Sequence, residues 1–151
     1  MDNIDLKLTR NNGIYDLTIK DGDYESIESF DTALIMTIFG ERRANESNQP
    51  INQNRRGWWG NIVLDQEGFE YGSLLWTFYQ TRLNTDTKNL LQSKLFEAIE
   101  WFIIDGLLVN AEVNSEIINN NIKFTITLFR SNNNVESRSF KLWDNTGGNQ
   151  I

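Results

Sequence analysis

At 151 residues, with 39% hydrophobic and 12% aromatic side chains, the chain is long and apolar enough to bury a core, which excludes disorder throughout. Its 14 basic and 21 acidic residues leave a net charge of −7, so no general attraction to nucleic acid or an anionic membrane is expected. Cysteine and histidine are both absent, which removes disulfides, thiolate chemistry, the commonest metal ligand and the commonest general base.

No stretch approaches the roughly 18–20 apolar residues of a membrane span. The start, Met1-Asp2-Asn3-Ile4-Asp5, is acidic and lacks the apolar run of a secretory signal. The expectation is one α+β domain over 1–151, needing no cofactor and no metal.

Residues 4–19 alternate in two runs, Ile4, Leu6, Leu8 and Tyr15, Leu17, Ile19, around Asn11-Asn12-Gly13, which predicts a β-hairpin forming an arm over 1–20. Asp21-Gly22-Asp23 then breaks the strand; it lacks the ligand count of a calcium loop and reads as a turn. From Ser29, a plausible N-cap, Phe30, Leu34 and Ile38 fall at helical spacing, and the helix ends around Gly40 to Arg43. Residues 44–60 have no period, hold the single proline, Pro50, and predict a long loop.

Ile62-Val63-Leu64 suggests a brief strand, and Ser73 caps a short helix carrying Leu74, Leu75, Trp76 and Phe78. A longer helix of about 20 residues follows Asn84-Thr85-Asp86, with Leu91, Leu95, Ile99, Phe102 and Ile103 on one face and Gly106 at its end. Trp101 and Phe102 read as packing between helix and sheet. Leu108–Ile118, Ile122–Arg130 and Val135–Trp143, joined by two Asn-rich turns, predict a three-stranded antiparallel meander packed against that helix. The tail, 145–151, is expected to be loose.

The most informative stretch is Arg55-Arg56-Gly57-Trp58-Trp59-Gly60 within the long loop. A tryptophan pair in a loop exposes a large apolar surface unless the loop folds back on its own domain or docks into a partner. Arg42-Arg43 and Arg55-Arg56 are positive islands in an acidic chain; they either meet a partner's acidic patches or are satisfied locally, for instance by Glu41. In the last strand, Glu136, Arg138 and Lys141 alternate with smaller or apolar residues, as on a protected sheet edge, which either stays blunted or accepts a strand from another chain.

Chemistry needing only carboxylates is not forbidden. Glu41 with Asp65 or Glu67 would make an acid pair beside a Trp58–Trp59 sugar platform. Against it, a chain with 21 acidic residues places a few carboxylates near any loop by chance.

Phe39-Gly40-Glu41-Arg42-Arg43-Ala44, the Arg-Arg-Gly-Trp-Trp-Gly block, Gly72-Ser73-Leu74-Leu75-Trp76 and the terminal Phe140-Lys141-Leu142-Trp143-Asp144 follow an N-terminal hairpin ending in Asp21-Gly22-Asp23. In that order they resemble the phage Mu-type baseplate protein family, related to the sheath-initiator (lysozyme-like) wedge proteins of contractile tails. The resemblance covers nearly the whole chain. It implies a non-enzymatic component of a tail baseplate, made in the host cytoplasm and monomeric alone. It further implies sixfold arrangement in the particle, beside wedge and hub proteins, the tail sheath and the tube. The "lysozyme-like" label carries no demonstrated active site.

On this reading the residues for partner contacts are Glu41, Arg42, Arg43, Arg55, Arg56, Trp58, Trp59 and Trp76, with Arg138, Phe140, Lys141, Leu142 and Trp143 on the last strand. The sequence departs from the pattern in two places. The Glu-Pro-Arg motif typical of sheath initiators is replaced by Ile104-Asp105-Gly106-Leu107-Leu108, and Asn61 stands where an acidic residue is expected. Two readings of other classes remain: a peptidoglycan-degrading tail enzyme, and a carbohydrate-binding module using Trp58 and Trp59.

Overall fold

The computed structural model describes residues 5–11, 14–27, 29–48, 54–64 and 69–142. It is an α+β arrangement of short N-terminal hairpins, a few helices, and a C-terminal antiparallel sheet under the longest helix. The expected hairpin arm is there, in a more folded form. β2 (Leu8–Asn11) pairs with β3 (Ile14–Leu17), but β1 (Asp5–Leu6) pairs with β6 (Ser26–Ile27), and β4 (Ile19–Lys20) pairs with β5 (Asp23–Tyr24). The three pairs meet where Thr18 N–H donates to Lys7 O, Lys7 N–H to Glu25 O, and Glu25 N–H to Thr18 O. Asp21-Gly22-Asp23 is therefore a reversal rather than the end of the strand region. Asp21 and Gly22, at φ 53° and 86°, form a two-residue turn between β4 and β5.

Helix α1 (Asp31–Phe39) stops at Gly40, where the backbone becomes extended, so Glu41 to Arg43 lie beyond it. Ser29 Oγ accepts from Asp31 N–H, while Asp5 Oδ2 reaches across from β1 to accept from Ala33 N–H. These two bonds serve orphan N–H donors of the first turn, and the Asp5 bond, together with Thr32 Oγ1 donating to Leu6 O, ties the arm to α1.

The expected strand at Ile62-Val63-Leu64 is not formed. These residues belong to a single helical turn, α2 (Asn61–Leu64). The long helix is divided in two: α3 (Thr85–Ile99), capped by Asn84 Oδ1 accepting from Thr87 N–H, and α4 (Trp101–Ile104). Gly106, at φ 74°, ends it as expected. Leu107 N–H bonds Phe102 O and Gly106 N–H bonds Ile103 O, a Schellman closure that needs the left-handed backbone.

The meander matches the expected strand ranges to within two residues at the strand ends: β7 (Asn110–Ile118), β8 (Asn121–Phe129) and β9 (Val135–Leu142), in the order β7-β8-β9. Asn119 and Asn120, both at positive φ, make the first turn. Ile122, Phe124, Ile126 and Leu128 point inward and are fully buried beneath Leu91, Leu95, Ile99 and Phe102. Trp101 sits at the margin of this core, stacked on Phe102. The outer face is polar, with Thr125 opposite Ser139 and Thr127 opposite Ser137 in hydroxyl contact at 2.8 and 3.1 Å.

Central strand β8 supplies the part of the core that cannot be replaced cheaply. Phe124→Ala is expected to cost about 3–5 kcal/mol. Thr125→Ala, one residue along on the outer face, is expected to stay within about 0.5 kcal/mol. Urea unfolding of the two variants checks the assignment of faces.

Candidate functional site

The motif residues converge on one junction, built from backbone contacts. Gly40 leaves α1 and pairs with the segment after Tyr71. Ser73 N–H donates to Gly40 O at 2.8 Å and Arg42 N–H donates to Ser73 O at 2.9 Å, making a parallel bridge between Glu41 and Ser73. The fit is tight: a Cβ on Gly72, at φ +90°, would lie 2.6 Å from the Gly40 carbonyl. Ser73 is 1% exposed, yet its hydroxyl is fully used, donating to Ile38 O and accepting from Leu75 N–H. It starts a 3₁₀ turn, Leu75–Phe78, where the sequence suggests a short helix.

The loop after Arg43 folds back onto this junction. Ala44 N–H bonds Arg55 O, and Arg55 Nε returns a bond to Ala44 O. Gly57, at φ +103°, packs where a Cβ would strike the Arg43 backbone. Arg56 lies with its guanidinium carbon 4.7 Å from the centre of the Trp76 ring and forms an ion pair with Glu41. Trp76 is buried, and its indole N–H donates to Arg42 O at 2.9 Å. Glu41 and Arg56 thus satisfy each other, the local alternative open in the sequence.

Glu41, Arg56 and Tyr79 also form an electrostatic group. Burial pushes the Tyr79 phenol above its ordinary pKa, the Glu41 charge pushes it further, and Arg56 opposes both. Burial raises Tyr71 as well. Asp65 and Glu67, the suggested partners of a catalytic Glu41, lie outside the described residues. Among the described residues, no group of three or more carboxylates is placed to hold a metal ion.

The tryptophan pair divides its work. Trp58 folds back, its ring 5.3 Å from that of Tyr71 and closed over Gly60, where a Cβ would lie 2.3 Å from the indole. Trp59 stays 71% exposed. From Trp58 to Val63 the backbone coils through successive i→i−3 bonds, which makes α2 a helical turn. Trp59, Ile62 and Val63, at i, i+3 and i+4, therefore share a face. Ile62 and Val63 are 86% and 71% exposed, so the three form an apolar knob. Sequence reasoning missed this face, because a short β-branched run reads as a buried strand; the Gly-Asn pair before it was the available signal for a turn. Asn61, which stands where the family resemblance implies an acidic residue, accepts through Oδ1 from Tyr71 N–H at 3.2 Å.

The last-strand residues separate from the junction. Phe140 and Leu142 are core, Phe140 stacking on Phe124 with centroids 5.3 Å apart. Lys141 is exposed on the outer face, and Trp143 lies outside the described residues. Arg138 points to the inner side and grips Asp31 through two nitrogens at 2.7 and 3.2 Å. Glu136 bridges Arg138 and Arg130, and Arg130 lies over the Phe30 ring.

Two outcomes follow from this geometry. Gly72→Ala adds a backbone clash to an unfavourable φ and is expected to cost at least about 3 kcal/mol. Gly22→Ala, at φ +86° but with open space around it, is expected to cost about 1 kcal/mol in the same denaturation series. Tyr79 holds its proton more tightly in the folded than in the unfolded chain. Its stabilisation is complete below about pH 10 and is lost as pH rises through the raised pKa. The alkaline loss of stability should therefore be shallower in Tyr79→Phe than in the parent, measured by urea unfolding across that range.

The model of the family described as "Phage protein GP46" matches residues 30–135, from the end of the arm to the last strand. Two curated relatives each align over nearly three quarters of the chain. The "Mu-like prophage FluMu protein gp46" of Haemophilus influenzae is 29% identical over 109 residues, covering 72% of this chain and 73% of its own. The "Baseplate protein gp46" of Escherichia phage Mu is 29% identical over 114 residues, covering 74% and 77%. Because the family match embraces the Gly-Glu-Arg-Arg, Arg-Arg-Gly-Trp-Trp-Gly and Gly-Ser-Leu-Leu-Trp segments that build the junction, the chain belongs to the GP46 family of Mu-type phage baseplate proteins.

Proposed function

We propose that this protein is a structural, non-enzymatic part of the baseplate of a contractile phage tail or of a phage-derived injection machine. The observation that carries the reading is how the motif residues are used. Glu41, Arg56, Trp76, Gly57 and Gly72 are consumed in fixing the junction, and what that junction presents outward is an apolar knob. A rigid frame with a projecting tryptophan is suited to docking. The relative from phage Mu bears the name baseplate protein, which supports the same role and a location in the virion tail. Among the described residues, no helix is long and apolar enough to cross a membrane.

The finer assignment is that the protein anchors or nucleates the sheath around the tube, in a sixfold ring, through strand addition. Support comes from the sheet order, which leaves β9 at an edge. Beside residues 138–140 of that edge lies a cavity of about 250 Å³, bounded also by the hairpin arm and α1 and lined by Leu8, Tyr15 and Ile35 among others. An extended segment added to β9 would find side-chain pockets there, as strand addition requires. Wedge and hub proteins, the sheath and the tube are the partners this role implies.

Quantitative mass spectrometry of purified tails tests the assignment. The expected result is a copy number matching one or two sixfold rings; absence from the particle would overturn the structural reading and leave an assembly factor or a lytic enzyme. Trp59→Ala should leave the isolated chain folded, since that ring is mostly solvated, and should lower its incorporation into tails. Normal incorporation would remove the knob from the assembly surface.

A further inference from the structure

The junction has a second outward feature. Behind the folded-back loop lies a cleft of about 300 Å³ whose wall carries Arg42, Arg43, Arg55 and Lys94, together with Glu70 and Glu97. Three of these cations are held by backbone carbonyls. Arg42 Nη2 donates to Glu70 O, Arg43 Nη1 to Arg56 O, and Arg55 Nε to Ala44 O. Arg42 Nε is buried and has no hydrogen-bond partner among the described residues. Among those residues, none of the three arginines has a carboxylate within ion-pair distance, although the chain has 21 acidic residues against 14 basic ones.

The acidic members offset these cations only in part. Glu97 is engaged by Lys94 through both oxygens, at 2.8 and 2.9 Å. Glu70 gives Arg42 its main-chain oxygen, and its one carboxylate stands against three arginines, so the wall stays cationic. Guanidinium groups fixed by carbonyls are pre-positioned donors, and they pair best with planar, two-oxygen anions. We propose that this cleft receives an acidic segment of a partner protein, gripped through Asp or Glu carboxylates by Arg42, Arg43 and Arg55. The size fits: the volume is at the small end of ligand sites and admits a few side chains. A nucleic acid is disfavoured, because a long polyanion tracking past the cleft would meet a chain of net charge −7. An acidic side-chain cluster needs only the cleft.

This inference rests on the assembly role for the existence of a partner, but its test reads the cleft alone. Fluorescein-labelled hexaglutamate is titrated with the full-length chain at low ionic strength, and anisotropy is followed. The expected result is saturable binding, absent for hexaglutamine, and weakened about fivefold or more by Arg43→Gln, whose side chain is exposed and whose loss leaves the junction standing. Adding Arg55→Gln should weaken it further, with circular dichroism confirming the fold. Lys20→Gln, on the β4–β5 hairpin, should change nothing. No binding by the parent chain, or equal weakening by Lys20→Gln, overturns the proposal. So does tighter binding of a thymidylate hexamer through the same arginines, which would make the cleft a phosphate site. A chain found in tails that ignores the peptide fails here alone; a chain that binds the peptide but is missing from tails fails only in its assembly role.

Discussion

The approach of the Gly72 segment to the Gly40 carbonyl is the contact on which the rest of the molecule depends. It is a backbone-to-backbone contact that no side chain could enter, and it is locked by two hydrogen bonds and a buried serine. Two hydrophobic groups meet there. Leu75 belongs to the main core under the sheet, while Leu74 and Trp76 pack with Ala44 in a smaller cluster under the loop. Losing the contact would separate α1 from the 3₁₀ turn and leave Arg56, Trp76 and Glu41 without their common frame.

A second set of charges closes the opposite end of the core. On β9 the inward positions run from Phe140 and Leu142, which are buried, to Glu136 and Arg138, which are not. Arg138 reaches the first turn of α1 at Asp31, where a carboxylate already favours the helix dipole. Because these groups remain partly solvated, the gain in stability is modest. Their larger effect is on specificity: inward-pointing charges at a sheet edge discourage unselective strand pairing.

The sheet and the long helix were legible because both follow simple periods. Phe124, Ile126 and Leu128 alternate, Leu91, Leu95 and Ile99 recur at four, and asparagine marks the turn at positive φ. The junction was legible only as an oddity of composition. Glu41, Arg56 and Trp76 are far apart in the chain, and nothing periodic announces that the Trp76 ring packs against the Arg56 guanidinium. The reading failed outright at Ile62–Leu64, where the usual rule that β-branched residues seek a buried strand gave way to the tight coiling begun at Trp58. The glycines were the better guide. Gly57, Gly60 and Gly72 each stand where a Cβ would collide, so the motif is spaced by packing rather than by chemistry.

That distinction bears on what the family motif means. A catalytic motif leaves reactive groups facing a cavity, with their partners arranged to change protonation or charge during a reaction. Here the candidate acid, Glu41, is taken up by an ion pair with Arg56, and the candidate sugar platform, Trp58, keeps 39% of its surface exposed but has its ring set against Tyr71. The groups left outward are Trp59 with its two aliphatic neighbours, and three arginines with no carboxylate of their own among the described residues. The backbone beneath both is fixed by hydrogen bonds, so binding costs side-chain rotamer freedom but no loop ordering. Apolar anchor and cationic cleft sit on one rigid junction. A partner that engages both gains the advantage of two linked contacts, whereas a partner that fits one alone does not.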